Sequence, residues 1–236
     1  MILKSFLFFL FLFVSAQSNA LGIDKMILIS GMEQDGDYYN VSNESDQPVF
    51  VKSEVSEINY VNGKPVETGY TKENLATWKI TLNPSIFILE PGESRKVSVE
   101  KISNPRQIDR DEVYAVSFLP QSQGPLRTKY TNEMTMQIGF KSYFFIPASK
   151  SNVKYSINLD KKSGRLSINN TGNTFVIAEV NKCQTTGGDK SKECFASFFV
   201  PAGRMKHFDI PVSLRTGKIK IQVSNFNKTF TKDEFF

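Results

Sequence analysis

Met134-Thr135-Met136-Gln137-Ile138-Gly139-Phe140-Lys141 sets four large apolar side chains, Met134, Met136, Ile138 and Phe140, at every second position before a lysine ends the run. A period of two puts all four on one face of a β-strand. Such a strand normally closes its own core. At an open sheet edge the same residues would instead offer another protein a row of hydrophobic knobs and unpaired backbone groups.

Around this stretch nearly every apolar run is short, rich in Val, Ile, Phe and Tyr, and bounded by Gly, Pro, Asn, Asp or Ser, the pattern of strands spaced for a sandwich. No amphipathic helical period stands out. Strands are expected over 25–30, 37–42, 49–58, 77–82, 86–89, 95–99, 113–119 and 134–146, and then over 154–159, 165–169, 174–182, 195–200, 206–210 and 218–224. Glu90-Pro91-Gly92 combines a preset φ at proline with a glycine that tolerates positive φ, which makes a tight turn. Residues 59–70, with Gly63, Lys64-Pro65 and Gly69, read as a polar hairpin tip, and 120–132, with Gly124-Pro125, as a loop.

The first twenty residues have the form of an export signal. Lys4 is the basic region, 6–14 the apolar run, and Ser18-Asn19-Ala20 the small-x-small cleavage site. The apolar run falls well short of the roughly 20 residues a spanning helix needs, so the mature chain is expected to begin near Leu21 without membrane insertion. The remaining length suits two domains of roughly 100 residues each. The break is expected where Ala148-Ser149-Lys150-Ser151-Asn152 turns small, polar and aperiodic, giving domains 21–148 and 149–236 held at a fixed angle by a short linker.

Residues 21–148 carry 13 basic and 17 acidic side chains, whereas 149–236 carry 15 and 7, so the second half holds the positive charge. Its cations are scattered singly, with no basic block and no nucleic-acid motif, which argues for solvated surface or a patch facing an acidic partner. Two cysteines, Cys183 and Cys194, in an exported chain favour one disulfide pinning a hairpin or loop of the second domain. With His207 they are too few for a metal centre.

A catalytic reading has little to hold. His207 is the sole histidine, and nucleophile elbows, phosphate-binding glycine loops and paired metal motifs are absent from the sequence. Asp109, Asp111 and Glu112 with Arg110 among them read as an ion-paired turn. Asn-x-Ser/Thr triplets at Asn40, Asn43, Asn169 and Asn227 would suit a secreted two-domain adhesion or receptor module. Yet an immunoglobulin domain of that kind places a tryptophan between two distant cysteines, and here Trp78 precedes both.

Leu89-Glu90-Pro91-Gly92-Glu93-Ser94-Arg95-Lys96-Val97 and Asp109-Arg110-Asp111-Glu112-Val113-Tyr114 are the motifs by which the chain resembles the PapD-like periplasmic chaperones of the chaperone-usher pilus pathway. The cysteine pair followed by Val200-Pro201-Ala202-Gly203 is similar to the branch serving fimbriae of the coli surface antigen type. The resemblance implies a boomerang of two immunoglobulin-like sandwiches that lends a strand to a pilin subunit lacking its own, and delivers it to an outer-membrane usher. In that role Met134, Met136, Ile138 and Phe140 match the donor strand. Lys25 and Lys141 match the two cations that hold the subunit's C-terminal carboxylate. Neither nucleotide nor metal nor any other cofactor is implied, and an uncovered donor ribbon leaves self-association of the free protein open.

Overall fold

The computed structural model describes residues 21–61, 64–102, 107–121, 138–183 and 194–236. They form strands β1 (Leu21–Ile23), β2 (Ile27–Ile29), β3 (Tyr38–Asn43), β4 (Val49–Val61), β5 (Lys64–Gly69), β6 (Ile80–Asn83), β7 (Ile86–Leu89), β8 (Ser94–Lys101), β9 (Glu112–Gln121) and β10 (Phe140–Ile146). After a short connection come β11 (Tyr155–Asp160), β12 (Arg165–Asn170), β13 (Val176–Asn181), β14 (Phe195–Val200), β15 (Met205–Asp209), β16 (Lys220–Ser224) and β17 (Thr231–Phe235).

β1 to β10 make one sandwich. A sheet in the order β1-β3-β8-β6 faces a second in the order β2-β10-β9-β4-β5, with β7 also on β4. Their inner faces meet in a core that includes Tyr39, Val41, Val51, Leu89, Val97, Tyr114, Val116, Phe118 and Phe144. The pleat explains the choice, because Tyr39 and Val41 are buried while Asn40 between them is exposed. β11 to β17 make a second sandwich from sheets β11-β12-β15 and β14-β13-β16-β17, around Leu166, Ile168, Val176, Ala178, Val180, Ile221 and Val223. The all-β, two-sandwich class expected from the sequence is the class observed.

A third cluster joins the two. Ile58, Val113, Ala115 and Phe145 of the first sandwich pack against Phe175 of the second, with Phe199 and Phe226 alongside. The rings of Phe145 and Phe199 lie 4.9 Å apart, and those of Phe175 and Phe199 4.6 Å. Such contacts add to area burial and resist sliding.

Polar bonds lock the same junction. The Asp111 carboxylate accepts from the backbone N–H of Ala148 at 2.9 Å and of Phe175 at 2.7 Å, and from the Thr174 hydroxyl at 3.3 Å. The Asn173 amide donates to the carbonyls of Asp109 and Lys150. Arg110 turns to the Gly172 carbonyl, and Glu112 accepts from the Tyr114 hydroxyl and pairs with Lys79. The acidic run is therefore not a self-paired turn as expected, because Arg110, Asp111 and Glu112 are each drawn to partners elsewhere in the chain. Burial pushes the Asp111 carboxyl above its ordinary value, against the opposing pull of the Ala148 and Phe175 N–H groups, the Thr174 hydroxyl and the Arg110 charge.

Cys183 and Cys194 form a disulfide, which closes the loop after β13 as expected. His207 stands on an exposed sheet face with its Nδ1 2.8 Å from the Ser167 hydroxyl, a satisfied surface pair. Among the described residues no helix is long and apolar enough to cross a membrane. Residues 1–20, which carry the export-signal reading, lie outside the described set.

Candidate functional site: an open ribbon beside an interdomain cavity

The first strand divides itself between two sheets. β1 pairs antiparallel with β3, and after a bend at 24–26 β2 runs parallel to β10, with Tyr143 opposite Ile27 and Phe145 opposite Ile29. Asp24 fixes the bend. Its carboxylate accepts from the backbone N–H and side-chain amide of Asn40, and its own N–H donates to the Asn40 carbonyl. β1 is thereby tied off just before the chain crosses over.

The consequence falls on β10. It pairs with β9 along its whole length, from Phe140↔Phe118 to Ile146↔Glu112, whereas the β2 ladder covers Tyr143 to Phe145 only. From Phe140 to Ser142 the ribbon has a ladder to β9 on one side only. Gly139 lets it run close to β9, because a Cβ there would stand 2.8 Å from the Phe118 carbonyl oxygen and 2.9 Å from a Leu119 methyl. Gly139→Val should therefore cost about 1–3 kcal/mol by forcing the ribbon off β9. Chemical denaturation of the variant against wild type measures it, and an unchanged midpoint would show that this close approach is not constrained.

Of the four alternating residues, Ile138 is 57 % exposed and Phe140 packs against the core of its own sandwich. Met134 and Met136 lie outside the described residues. The strand expected over 134–146 is described from Phe140 onward.

The two lysines come together at the level of the backbone. Counting back two residues along both strands from Tyr143↔Ile27 sets Lys25 beside Lys141, and the Ser142 hydroxyl donates to the Lys25 carbonyl at 3.0 Å. Their ammonium groups turn to different carboxylates. Lys25 Nζ lies 3.4 Å from Asp24 and 3.3 Å from Glu33, and 4.3 Å from the centre of the Tyr38 ring. Partial burial alone would lower its pKa, but the hydrogen bond to Glu33 and the charges of Asp24 and Glu33 outweigh this and raise it. Lys141 Nζ is held by both oxygens of Glu67, at 2.9 and 3.2 Å, in an exposed pair. Such a pair contributes little stability and gives way readily to a competing anion.

Glu67 belongs to β5, an arm exposed along its whole length that pairs with the outer half of β4. The same glutamate lines a cavity of about 300 Å³ between the sandwiches. Ile27, Tyr60 and Tyr143 contribute from the first sandwich, and Phe199, Arg204 and Lys206 from the second. The Arg204 guanidinium lies 4.8 Å from the centre of the Tyr60 ring. Burial raises the Tyr60 pKa, and the Arg204 charge pulls it back. Sequence reasoning passed over Glu67 and Arg204, since neither sits in an alternating run.

Residues 23–147 match the family model described as the CS5 fimbrial protein N-terminal domain. An uncharacterised 25.9 kDa protein of the CS5 3′ region of Escherichia coli is 26% identical over 142 residues, and the match spans 60% of this chain and 60% of that relative. Solved structures that share the fold include two chaperones. The class 5 fimbriae chaperone CfaA is 17% identical with a TM-score of 0.50, covering 92% of this chain and 98% of that one. The Salmonella enterica SafB chaperone structure, in complex with the SafA pilin, is 14% identical with a TM-score of 0.51, covering 94% and 98%.

Proposed function

We propose, for a chain that belongs to the CS5 fimbrial protein N-terminal domain family, that it is a periplasmic chaperone for fimbrial subunits. It lends its ribbon to a subunit that lacks a strand, holds that subunit's C-terminal carboxylate in the cleft, and passes it to an outer-membrane usher. The observation that carries this reading is the half-open β10. Its downstream half is fixed between β2 and β9, while Phe140 to Ser142 at its upstream end are laddered to β9 alone, and Ile138 just before the strand is exposed to solvent.

The energetics suit the task. A subunit short of one strand exposes an apolar groove, and each large side chain buried there contributes about 1.5–3 kcal/mol before ordering costs are deducted. Backbone pairing along the added strand supplies the rest. The carboxylate anchor sets register, since a slip of one residue would turn every knob to the wrong face. Lys141 is the cation at the ribbon's base, and it exchanges Glu67 for the subunit terminus. Lys25, beside it on the backbone, supplies the second charge once released from Asp24 and Glu33.

Co-expression with a fimbrial subunit, followed by purification on a tag carried by this chain, tests the reading. Wild type is expected to recover the subunit in equal proportion, and Lys141→Ala to lose at least about nine-tenths of it, as befits a charge-assisted bond to a desolvated carboxylate. Undiminished recovery with Lys141→Ala would dismiss the anchor, and absence of any subunit with wild type would dismiss the chaperone.

A further inference from the structure

Arg204 stacks on the Tyr60 ring, yet among the described residues no carboxylate answers its charge. Its Nη1 is buried and has no hydrogen-bond partner, and none of its guanidinium nitrogens enters an ion pair among the described residues. A buried, unpaired donor on a cation is costly to maintain, and native proteins rarely leave one without an acceptor. The fold nevertheless keeps it in place. The turn Val200-Pro201-Ala202-Gly203 is closed by the Arg204 N–H donating to the Pro201 carbonyl, and the Arg204 carbonyl accepts from Asn170 at 2.8 Å. Gly203, at φ +72°, passes so near Arg110 that a Cβ there would stand 2.6 Å from the guanidinium. The second sandwich therefore presses this turn onto the first, and Arg204 comes to lie over Tyr60 inside the interdomain cavity.

The rest of the cavity states what would fit. Lys206, two positions further along the chain, adds a second positive charge, and in the free protein the carboxylate of Glu67 is engaged by Lys141. The remaining wall is apolar, with the aromatic rings of Tyr60, Tyr143, Phe145 and Phe199 set among aliphatic side chains such as Ile58 and Val113. A space of about 300 Å³ takes one large side chain with its terminal carboxylate, not a folded surface.

We infer that Arg204, assisted by Lys206, is a carboxylate anchor on the second sandwich, so that the last residue of a bound polypeptide is gripped from both domains with its side chain against the apolar wall. The inference rests on the chaperone reading for the source of that polypeptide. It adds to the paired lysines of the first sandwich a planar, two-pronged donor that a lysine cannot imitate.

N-acetyl-phenylalanine and its C-terminal amide, titrated into the full chain and followed by NMR chemical shifts, test the site directly. The acid is expected to bind about tenfold or more tightly than the amide. Arg204→Gln should remove most of that preference, Arg204→Lys restore part of it, and Lys206→Ala weaken it less. A purely structural stacking role for Arg204 would lower the melting temperature without altering the ratio of acid to amide affinity, and that result overturns the inference. Failure of the acid to bind wild type overturns it too. Subunit capture separates the two claims. If capture is lost with Lys141→Ala but capture and acid preference both survive Arg204→Gln, the inference falls and the chaperone reading stands. Acid preference that depends on Arg204, with no subunit captured by wild type, upholds the anchor and removes the chaperone reading.

Discussion

Asp111→Ala is expected to lower the stability of the folded protein by about 2–5 kcal/mol, because it strips the acceptor from two backbone N–H groups at the junction. Both donors, on Ala148 and Phe175, lose their 2.7–2.9 Å bonds, and the Thr174 hydroxyl loses its partner as well. The gap opened lies beside Phe175, which is fully buried, so water reaches the orphaned groups poorly. Asp111→Asn should be milder, since its amide oxygen can keep one of the donors. The pH dependence distinguishes charge from shape. Burial raises the Asp111 pKa in the folded chain, so between the ordinary carboxylate value and the raised one the folded state binds the extra proton. The stability contributed by that proton is full below the unfolded value and is lost as pH rises through the folded value. The advantage of wild type over Asp111→Asn should therefore widen as pH falls, measured by urea denaturation of both proteins across the acid range. An advantage independent of pH would mean the carboxyl titrates as it does in the unfolded chain.

The sandwich strands are legible because burial on one face writes a period of two into the sequence. The strands expected over 95–99, 113–119 and 165–169 lie within 94–101, 112–121 and 165–170 for that reason. What escapes lacks this imprint. β5 is exposed at all six positions, and β17 (Thr231–Phe235) is a polar edge strand held to β16 by backbone pairing and the Lys220–Asp233 ion pair. β1 is three residues long and interrupted by Gly22, so its partnership with β3 cannot be separated in the sequence from that of β2 with β10. That crossover is what creates the half-open ribbon, and it depends on a bend stabilised by Asp24 and Asn40, sixteen residues apart. The candidate site divides along the same line. Lys25 and Lys141 can be picked from their places on strands, whereas Glu67 and Arg204 become relevant only through the packing of an exposed arm and a second-sandwich turn around one cavity. A single charge carries no periodicity, and tertiary placement alone gives it meaning.

Ile138→Asp is expected to reduce subunit capture by a hundredfold or more while leaving the free protein's melting temperature within about a degree of wild type. The two halves of this expectation come from different states of one residue. In the free chain Ile138 is exposed, so the substitution removes little burial and surface changes of this kind cost within about 0.5 kcal/mol. In the proposed complex the same position would enter an apolar groove, where an aspartate forfeits the apolar gain and must also be desolvated without a partner, at a cost of several kcal/mol. Phe140→Asp should behave differently, since Phe140 packs against the first sandwich's own core and its loss destabilises the free protein as well. Comparing the two by thermal unfolding and by recovery of co-expressed subunit separates a lent side chain from a retained one. If Ile138→Asp captures subunit as wild type does, Ile138 does not enter the groove, and the strand lent to the subunit is not this one.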